Sequence, residues 1–402
     1  MANVSSSNSQ KALVPKLRFP GFYCEWKKTI LDELVDVIGG GTPDTMNDKY
    51  WGGDIKWFTP TEVGHQKYIS NSRRTITVLG LEESSAKTLP ANSVLLSSRA
   101  TVGECSINTC QCATNQGFQS LVPKTNQSSE FIYYLALNLK RYFIKHASGS
   151  TFLEISNSEV RTTPCYVPDL TEQKRISDFL SLLDLKIEKI QRLIDLLKSY
   201  KRGVLFYIFD SDMRDVDTWA ECRIGECLEP RIQKQIPTDD APLMAFTATG
   251  GVEPKGDRYD RSFLVKDENK PYKRTEYNDF IYSSNNLDVG SIGLNKYGPA
   301  VISDVYEIFR INDNAIPTFI SAAIQRPRVI ADILKFRQGV IYGQYRIYAE
   351  EFLNVKIKLP EKHIQEQYAC LFDTIDMKIQ KETRLLFTLE QLKTALLRQM
   401  FI

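Results

Sequence analysis

Residues 167–209 read VPDLTEQKRISDFLSLLDLKIEKIQRLIDLLKSYKRGVLFYIF, and residues 359–401 read LPEKHIQEQYACLFDTIDMKIQKETRLLFTLEQLKTALLRQMF. The two stretches align without a gap, 192 positions apart, and 12 of the 43 aligned residues are identical. Unrelated segments of ordinary composition share roughly one position in fifteen, so the chain contains an internal repeat. The identical pairs are Pro168/Pro360, Gln173/Gln365, Asp184/Asp376, Lys186/Lys378, Ile187/Ile379, Lys189/Lys381, Arg192/Arg384, Leu193/Leu385, Leu197/Leu389, Lys201/Lys393, Leu205/Leu397 and Phe209/Phe401.

Both copies of the repeat have the apolar spacing of a long helix. Their apolar residues follow one another mostly at intervals of three and four, which is typical of a coiled-coil seam. Each copy begins beside a proline, a common place for a helix to start. About 40 residues at ~1.5 Å rise predict a helix of roughly 60 Å. The alternative, two packed core helices in one globule, fits less well because such a length exceeds that of an ordinary globular helix. The predicted seam residues are Ile176, Phe179, Leu183, Ile187, Ile190, Ile194, Leu197, Val204 and Ile208, and then Leu371, Ile375, Ile379, Leu386, Leu389, Leu396 and Met400.

A segment of mixed helix and strand pattern precedes each predicted helix. The first has strand-like runs at 93–96 and 118–122 and a helical stretch at 131–144. The second segment repeats this pattern weakly, since its stretch NDFIYSSNNLDVG (278–290) is similar to NSVLLSSRATVG (92–103) of the first. The predicted division is a disordered tail at 1–15, a first domain at 16–166, a spacer helix at 167–209, a second domain at 210–358 and a second spacer helix at 359–402.

Chain connectivity predicts how the two helices pair. The second domain joins the end of the first helix to the beginning of the second. Parallel helices would require it to bridge ~60 Å, whereas antiparallel helices need only a compact domain at each end. The expected fold is α+β, with two pseudo-repeated domains joined by two long antiparallel coiled-coil helices in a dumbbell with pseudo-two-fold symmetry. Such symmetry matches the approximate dyad of duplex DNA.

Composition and motifs exclude several classes of protein. The 402 residues are 42% hydrophobic and 25% charged with a net charge of +2, as in ordinary multidomain proteins. An apolar run of membrane length and a signal peptide are both absent, so we expect a cytoplasmic protein without a membrane. The spacings Cys110–Cys112 and Cys222–Cys227 do not suit zinc, and three histidines cannot complete a site, so no metal is expected.

The sequence also lacks the motifs of catalysis. It has neither a Walker GxxxxGK[ST] motif nor the [DNS]PP[YF] tetrapeptide of amino-methyltransferases. The stretch PDLTEQK (168–174) mimics a nuclease motif, but its acidic residues would lie on one helical turn instead of on adjacent strands. We therefore predict no catalytic residue and no cofactor in this chain.

Several motifs together resemble one protein family. PKLRFPGF (15–22), Trp26, GGGTP (39–43), YWGGDIKWFTPTEV (50–63), LLSSRATVG (95–103) and TNQGF (114–118) are similar to the specificity subunit of type I restriction–modification systems. The resemblance implies that each domain is a target recognition domain that reads one half of a bipartite, asymmetric DNA site. It implies that the helices separate the domains and dock two methyltransferase subunits, and that two restriction–translocase subunits join where the system has them. S-adenosylmethionine, ATP and Mg²⁺ are then expected on those partners. The second domain lacks both GGGTP and YWGG.

DNA affinity needs Lys and Arg against phosphates, and specificity needs Arg, Asn or Gln at base edges. The first domain offers such residues in predicted loops, and the second domain offers a further set. The candidates are Lys67, Arg73, Arg74, Arg99, Asn115 and Gln116, and then Lys255, Arg258, Arg261, Lys273, Arg274, Asn285, Asn286 and Arg346. Trp51 and Trp57 are expected to pack in the core.

The predicted helices have candidate partner contacts of their own. With the seam facing the other helix, Lys186, Lys189 and Arg192 and their repeat mates Lys378, Lys381 and Arg384 are expected to face outward toward the methyltransferases. A spacer of ~60 Å covers roughly 17 base pairs. Because each domain covers several of these pairs inward of its end, two half-sites separated by about 5–8 pairs are expected. A free-standing DNA-binding regulator and a coiled-coil scaffold without DNA contact remain as alternatives.

Overall fold

The structure, a computed structural model, describes residues 13–149, 153–210, 219–248, 250–254, 270–285, 287, 291–340 and 344–402. The chain divides into two compact units. The first contains Met1–Gln191 and Leu385–Ile402, and the second contains Arg192–Arg384. Each unit therefore combines one α+β domain with part of both long helices.

The first domain is built on two sheets and a strand pair. Its strands are β1 Lys27–Ile30, β2 Val35–Gly39, β3 Trp51–Phe58, β4 Tyr68–Ile69, β5 Arg74–Ile76, β6 Val94–Leu96, β7 Cys105–Asn108, β8 Cys112–Thr114, β9 Gln119–Pro123 and β10 Pro164–Val167. Its helices are α1 Leu31–Leu34, α2 Val78–Glu82, α3 Ser129–His146 and α4 Asn157–Thr162. One sheet has the order β2-β9-β6-β7-β4 and the other β5-β3-β8. Helix α3 begins at the N-cap Ser128 and packs its apolar residues on the larger sheet.

The first long helix, α5, spans Leu170–Phe209, and the elements of the second domain follow it. The strands are β11 Ala220–Arg223, β12 Leu228–Pro230, β13 Lys234–Gln235, β14 Met244–Thr247, β15 Gly251–Pro254, β16 Tyr272–Thr275, β17 Phe280–Ser283, β18 Ile292–Leu294, β19 Ala300–Ile302, β20 Tyr306–Ile311, β21 Gln338–Val340, β22 Gln344–Arg346 and β23 Lys356–Leu359. The helices are α6 Pro317–Ile324, α7 Pro327–Leu334, α8 Ala349–Asn354 and the second long helix α9, Lys362–Met400.

The larger sheets of the two domains share the order of four strands. The larger sheet of the second domain has the order β12-β20-β17-β18, which repeats β2-β9-β6-β7 of the first. Asn92 and Asn278, which precede the matching strands β6 and β17, both have a φ of 67°. The amide of Ile155 donates to the carbonyl of Ser98 (2.9 Å), and the amide of Ile347 donates to that of Ser284 (3.0 Å). The expected pseudo-repeat of α+β domains is therefore confirmed at the level of individual hydrogen bonds.

A strand pair closes each domain next to its long helix. Strand β1 pairs antiparallel with β10, and β11 pairs antiparallel with β23. Strands β10 and β23 lie 192 residues apart, the same offset as the helices that follow them. The part of the repeat that aligns without a gap thus extends back to these strands, a few residues before the start that the sequence alignment gives.

A buried glutamine joins each domain to its helix. Gln173 is 1% exposed and Gln365 is 2% exposed. The Gln173 side-chain carbonyl accepts from the amide of Ser128 (3.1 Å) at the start of α3, and its amide donates to the carbonyl of Pro168 (3.0 Å). Gln365 makes the matching contacts with Ile316 (3.1 Å) and Pro360 (2.9 Å). These contacts explain why the glutamine recurs in the repeat, because an unpaired buried amide would be costly.

The predicted seam is wrong at one position in each helix. Phe179 and its repeat mate Leu371 are 39% and 37% exposed, whereas their neighbours Leu180 and Phe372 are 0% and 1% exposed. Near its beginning each helix packs against the core of its domain, and the buried face there follows that core instead of a regular heptad. Farther along, Ile190 and Ile194 are buried as predicted.

Reciprocal ion pairs fix how the two helices pair within each unit. In the first unit, Lys393 Nζ lies 2.7 Å from Asp184 Oδ1. In the second unit, Lys201 Nζ lies 2.6 Å from Asp376 Oδ1. Each unit therefore pairs an early part of one helix with a late part of the other, so the helices are antiparallel as expected. Both lysines and both aspartates belong to the identical positions of the repeat, which indicates that they set the register of the pairing.

Reversing one of these ion pairs tests the register. We expect Asp376→Lys to lower the free energy of unfolding by about 1–2 kcal/mol in urea denaturation, because it sets two ammonium groups against each other at a site only about one-third exposed. The double variant Asp376→Lys/Lys201→Asp should recover most of the loss through the restored attraction. Lys198→Asp, at an exposed position of α5 near Lys201, is the control for introducing an aspartate into that helix. A double variant as unstable as the sum of its single variants would contradict this role.

None of the helices in the described part of the chain carries an apolar stretch of the length and hydropathy needed to cross a bilayer.

Candidate nucleic-acid interface

Hydrogen bonds link five loops of the first domain into one surface, here called the loop cluster. The loops are residues 39–44, 58–62, 70–74, 97–103 and 114–118. The connecting bonds join Gly41 N to Thr114 O (2.9 Å), Asn115 N to Phe58 O (3.0 Å), Ser98 N to Gly117 O (2.8 Å) and Arg73 N to the Glu62 carboxylate (2.7 Å). The predicted residues Arg73, Arg99, Asn115 and Gln116 lie on these loops, and Arg74 follows Arg73 as the first residue of β5.

Two tryptophans support one arginine of the loop cluster. The guanidinium carbon of Arg74 lies 3.4 Å from the centroid of the Trp51 ring and 5.9 Å from that of Trp57. The two indoles meet edge to face at 5.0 Å. Trp57 is 4% exposed, as expected of a core residue, but Trp51 is only half-buried and forms the platform under Arg74.

The glycine-rich loop holds this platform beside Gln116. The indole N–H of Trp57 donates to the carbonyl of Gly41 (2.9 Å). The Thr42 hydroxyl is hydrogen-bonded to the side-chain carbonyl of the exposed Gln116. A Cβ on Gly40 would overlap the carbonyl of Asn115, so only glycine permits the loop to pack this closely. The GGGTP motif therefore has a structural function, since it fixes the tryptophans and Gln116 relative to each other.

Two further candidates of the loop cluster, Arg99 and Asn115, already have partners. Arg99 Nε lies 3.8 Å from the carboxylate of Glu154, and both side chains are 46% exposed. The side-chain carbonyl of Asn115 accepts from the amide of Gly117 (2.9 Å), which shapes its own loop. Arg73 and Arg74 differ from Arg99, because neither has an ion-pair partner among the residues that the structure describes.

Lys67 lies apart from the loop cluster, against helix α5. Its ammonium donates to the hydroxyl of Ser181 (2.6 Å) and to that of Tyr134 (3.1 Å). The Tyr134 hydroxyl donates to Asp184 (2.6 Å), the aspartate that also pairs with Lys393. Burial lowers the pKa of Lys67, while the Asp184 charge opposes that shift. Burial raises the pKa of Tyr134, because it disfavours the charged phenolate just as it disfavours the ammonium of Lys67. The network ties the first domain to the helix pair.

We expect Lys67 and Arg73 to respond differently to truncation. Lys67→Ala removes a donor to two half-buried hydroxyls and should cost about 1–2 kcal/mol of unfolding free energy. It should leave the salt dependence of DNA binding unchanged. Arg73→Ala, at an exposed position, should change stability by less than about 0.5 kcal/mol. It should reduce the slope of log K against log salt by about one. Urea denaturation measures the stability, and titration of duplex DNA at several salt concentrations measures the slope. If Lys67→Ala reduced the salt slope and Arg73→Ala lowered the stability, Lys67 would instead lie on the DNA surface.

In the second domain the described cationic candidates have acidic or amide partners. Lys273 Nζ lies 2.8 Å from Glu307, whose other oxygen is 3.0 Å from Arg346. Arg274 pairs with Glu276 at 2.6 Å. The Asn285 side chain accepts from the Ser284 hydroxyl (3.1 Å). Three further basic candidates and one asparagine lie outside the described residues, namely Lys255, Arg258, Arg261 and Asn286.

The six candidate partner contacts on the helices are all exposed. Lys186, Lys189 and Arg192 lie on α5, and Lys378, Lys381 and Arg384 lie on α9. Exposed apolar side chains accompany them: Leu182 is 67% exposed and Met377 is 62% exposed. A helix face that combines lysines with exposed large apolar residues is typical of a docking surface.

Sequence reasoning missed one ion pair that anchors the first helix. Arg18 of PKLRFPGF donates through Nε and Nη2 to the two carboxylate oxygens of Glu172, each at 2.7 Å. Its Nη2 also donates to the carbonyl of Cys24 (2.7 Å). Glu172 is only 1% exposed. The motif was visible in the sequence, but its partner lies 154 residues away along the chain.

Comparison with known proteins relates one segment of the chain to a described family. Residues 23–199 match the family described as Type I restriction modification DNA specificity domain. Over this segment the chain is similar to that family. The matched segment contains the loop cluster and the greater part of α5.

Named relatives of the chain agree with this match. The chain is 31% identical over 224 residues to the type I restriction enzyme MjaIX specificity subunit of Methanocaldococcus jannaschii, which covers 51% of this chain and 52% of the relative. It is 30% identical over 183 residues to the HindI specificity subunit of Haemophilus influenzae, which covers 43% and 40%. The chain thus spans about half the length of the curated relatives it matches, or less.

Solved structures extend the likeness in fold to nearly the whole chain. The S subunit of a type I restriction-modification system from M. genitalium matches with a TM-score of 0.64 at 15% identity, covering 97% of this chain and 99% of that one. A chain from work on complex assembly and conformational transition of the type I R-M system matches with a TM-score of 0.55 at 16% identity, covering 95% and 98%. Both comparisons concern the fold alone.

Proposed function

We propose that this protein is the sequence-specificity subunit of a type I restriction–modification complex, with no catalytic role of its own. Each domain reads one short half-site of an asymmetric bipartite DNA sequence, and α5 and α9 hold the half-sites at a fixed separation. The chemistry comes from two methyltransferase subunits, with restriction–translocase subunits where the system has them. These partners bind S-adenosylmethionine, ATP and Mg²⁺, and the complex acts in the cytoplasm.

One observation carries the proposal: two domains whose larger sheets share the order of four strands are each attached to a copy of one repeated helix. The first of them lies within the segment of the specificity family. Each helix has about 40 residues, so at ~1.5 Å per residue it is long enough to separate two half-sites by several base pairs. The loops of the two domains differ in sequence, which favours two unlike half-sites.

The charges of the loop cluster suit contact with DNA. Arg73 and Arg74 are exposed, and neither has an ion-pair partner among the described residues. Gln116 is exposed beside them, and its side-chain N–H groups can donate to a base edge. Cations of this kind supply affinity through phosphates, and amide side chains supply selectivity.

Identity on the exposed faces of the helices supports two like partners. Packing explains the buried identities of the repeat, such as Gln173/Gln365, but it does not explain Lys186/Lys378 or Lys189/Lys381. An exposed face that recurs on both helices suits two copies of the same protein, and the exposed apolar residues near it supply area to bury. We infer that each helix docks one methyltransferase subunit through this face.

Sequencing of modified bases decides the proposal. The protein and its methyltransferase partner are expressed in a host that lacks adenine methylation. We expect new methylation at one bipartite, asymmetric motif whose half-sites are separated by about 5–8 base pairs. Methylation at a contiguous palindrome, or no new methylation by a complex that assembles, would contradict the proposal. Tight specific binding of DNA by the isolated chain would favour a free-standing regulator instead.

A further inference from the structure

The stacked arginine of the loop cluster has a geometry suited to one particular base. At 3.4 Å between its central carbon and the Trp51 centroid, the guanidinium can only lie flat on the ring, because a tilted group would push a nitrogen into the indole. One face of the cation is therefore covered. The N–H donors lie in the plane of the group and point past the edge of the ring.

Both ends of this side chain are held. The backbone of Arg74 pairs with Trp57 in the antiparallel ladder of β3 and β5. The platform is fixed in turn, since Trp51 donates its indole N–H to the carbonyl of Asp44 (3.0 Å) and Trp57 donates to that of Gly41 (2.9 Å). Little rotamer freedom remains for the cation to lose on binding, so its hydrogen bonds are preorganised.

Arg74 also differs from the other cations proposed for DNA contact. Lys67 and Lys273 donate to a hydroxyl and a carboxylate of the protein itself, and Arg99 forms an ion pair with Glu154. Arg74 has no such acceptor among the residues that the structure describes. A flat guanidinium with two adjacent donors matches the O6 and N7 acceptors on the major-groove edge of guanine, and lysine cannot reproduce this two-point contact.

We propose that Arg74 is the residue of the first domain that reads a guanine, with Trp51 as its positioning residue. This inference rests on the proposed function and deepens it to one base of one half-site. Arg73 is its neighbour without an aromatic platform, and it contacts phosphate. The two adjacent arginines therefore have different roles in the same surface.

The test begins with the motif that the wild-type complex methylates. Arg74→Lys keeps the charge but loses the two-point contact, and it should lower discrimination at one G·C pair of one half-site by roughly 10- to 100-fold. The other half-site should stay unchanged. Trp51→Leu should relax the same pair. Arg73→Ala is the matched control and should weaken binding uniformly without relaxing any base.

Duplexes with 7-deazaguanine at single positions provide a second readout, because this base lacks the N7 acceptor. The wild-type complex should lose affinity at one guanine, and the Arg74→Lys complex should show much less loss there. An unchanged motif in the Arg74→Lys complex, or a uniform loss across all positions, would overturn the inference while leaving the proposed function intact. Absence of any bipartite motif from the wild-type complex would instead overturn the proposed function.

Discussion

Arg18→Ala is expected to destabilise the first unit by about 3–5 kcal/mol, the typical cost of removing one partner of a buried ion pair. Glu172 is 1% exposed and receives both of its short hydrogen bonds from Arg18, so the substitution leaves its carboxylate buried without that partner. For a unit of this size the midpoint of thermal unfolding should fall by roughly 10 °C. Scanning calorimetry of the purified chain measures the change.

A double variant separates the charge from the packing. Arg18→Met/Glu172→Leu replaces the ion pair by apolar side chains of similar size and should recover most of the lost stability. Lys16→Ala, two residues away and exposed, is the control and should change stability by less than about 0.5 kcal/mol. If Arg18→Ala behaved like Lys16→Ala, PKLRFPGF would have no role in anchoring α5.

Lengthening both long helices should lengthen the gap between the half-sites. Tandem duplication of residues 188–194 and of residues 383–389 adds seven residues to each helix at points that face each other in the antiparallel register. Seven residues at ~1.5 Å add about 10 Å, or roughly three base pairs. The methylated motif should keep both half-sites, with a gap about three pairs longer.

Two features sharpen this experiment. Three base pairs also turn the half-sites by about 100° around the DNA axis, so methylation should be slower as well as displaced. Duplication in α5 alone is the control, because it removes the register of one of the two ion pairs and should abolish methylation. Altered half-sites with an unchanged gap would show that the helices do not set the spacing.

The sequence predicted the architecture because the helix pair is encoded locally. Apolar residues at intervals of three and four predict a helix from neighbouring residues alone, and both copies of the repeat have this spacing. The phase of the seam was wrong at Phe179 because the domain core, not the opposite helix, decides which face is buried there. Propensity and periodicity cannot specify a contact of that kind.

The candidate site was harder to predict, because each side chain depends on its partner. Lys67 resembles a surface cation in sequence, yet its acceptor Ser181 lies 114 residues away. Lys273 and Arg346 share Glu307, which no motif connects to them. Arg74 differs from these cations, because the contact that supports its proposed role is with the indole of Trp51 beneath it. Whether these residues contact DNA stays a prediction.

The strand pairs β1–β10 and β11–β23 have a consequence for how such a protein can change over generations. Because the first and last strands of each domain are hydrogen-bonded neighbours, the polypeptide leaves the domain beside the point where it began. Everything between those strands can then be replaced without displacing the helix that follows. Under the proposed function, recombination at two short flanking stretches would exchange one half-site for another, and the inherited spacing would survive.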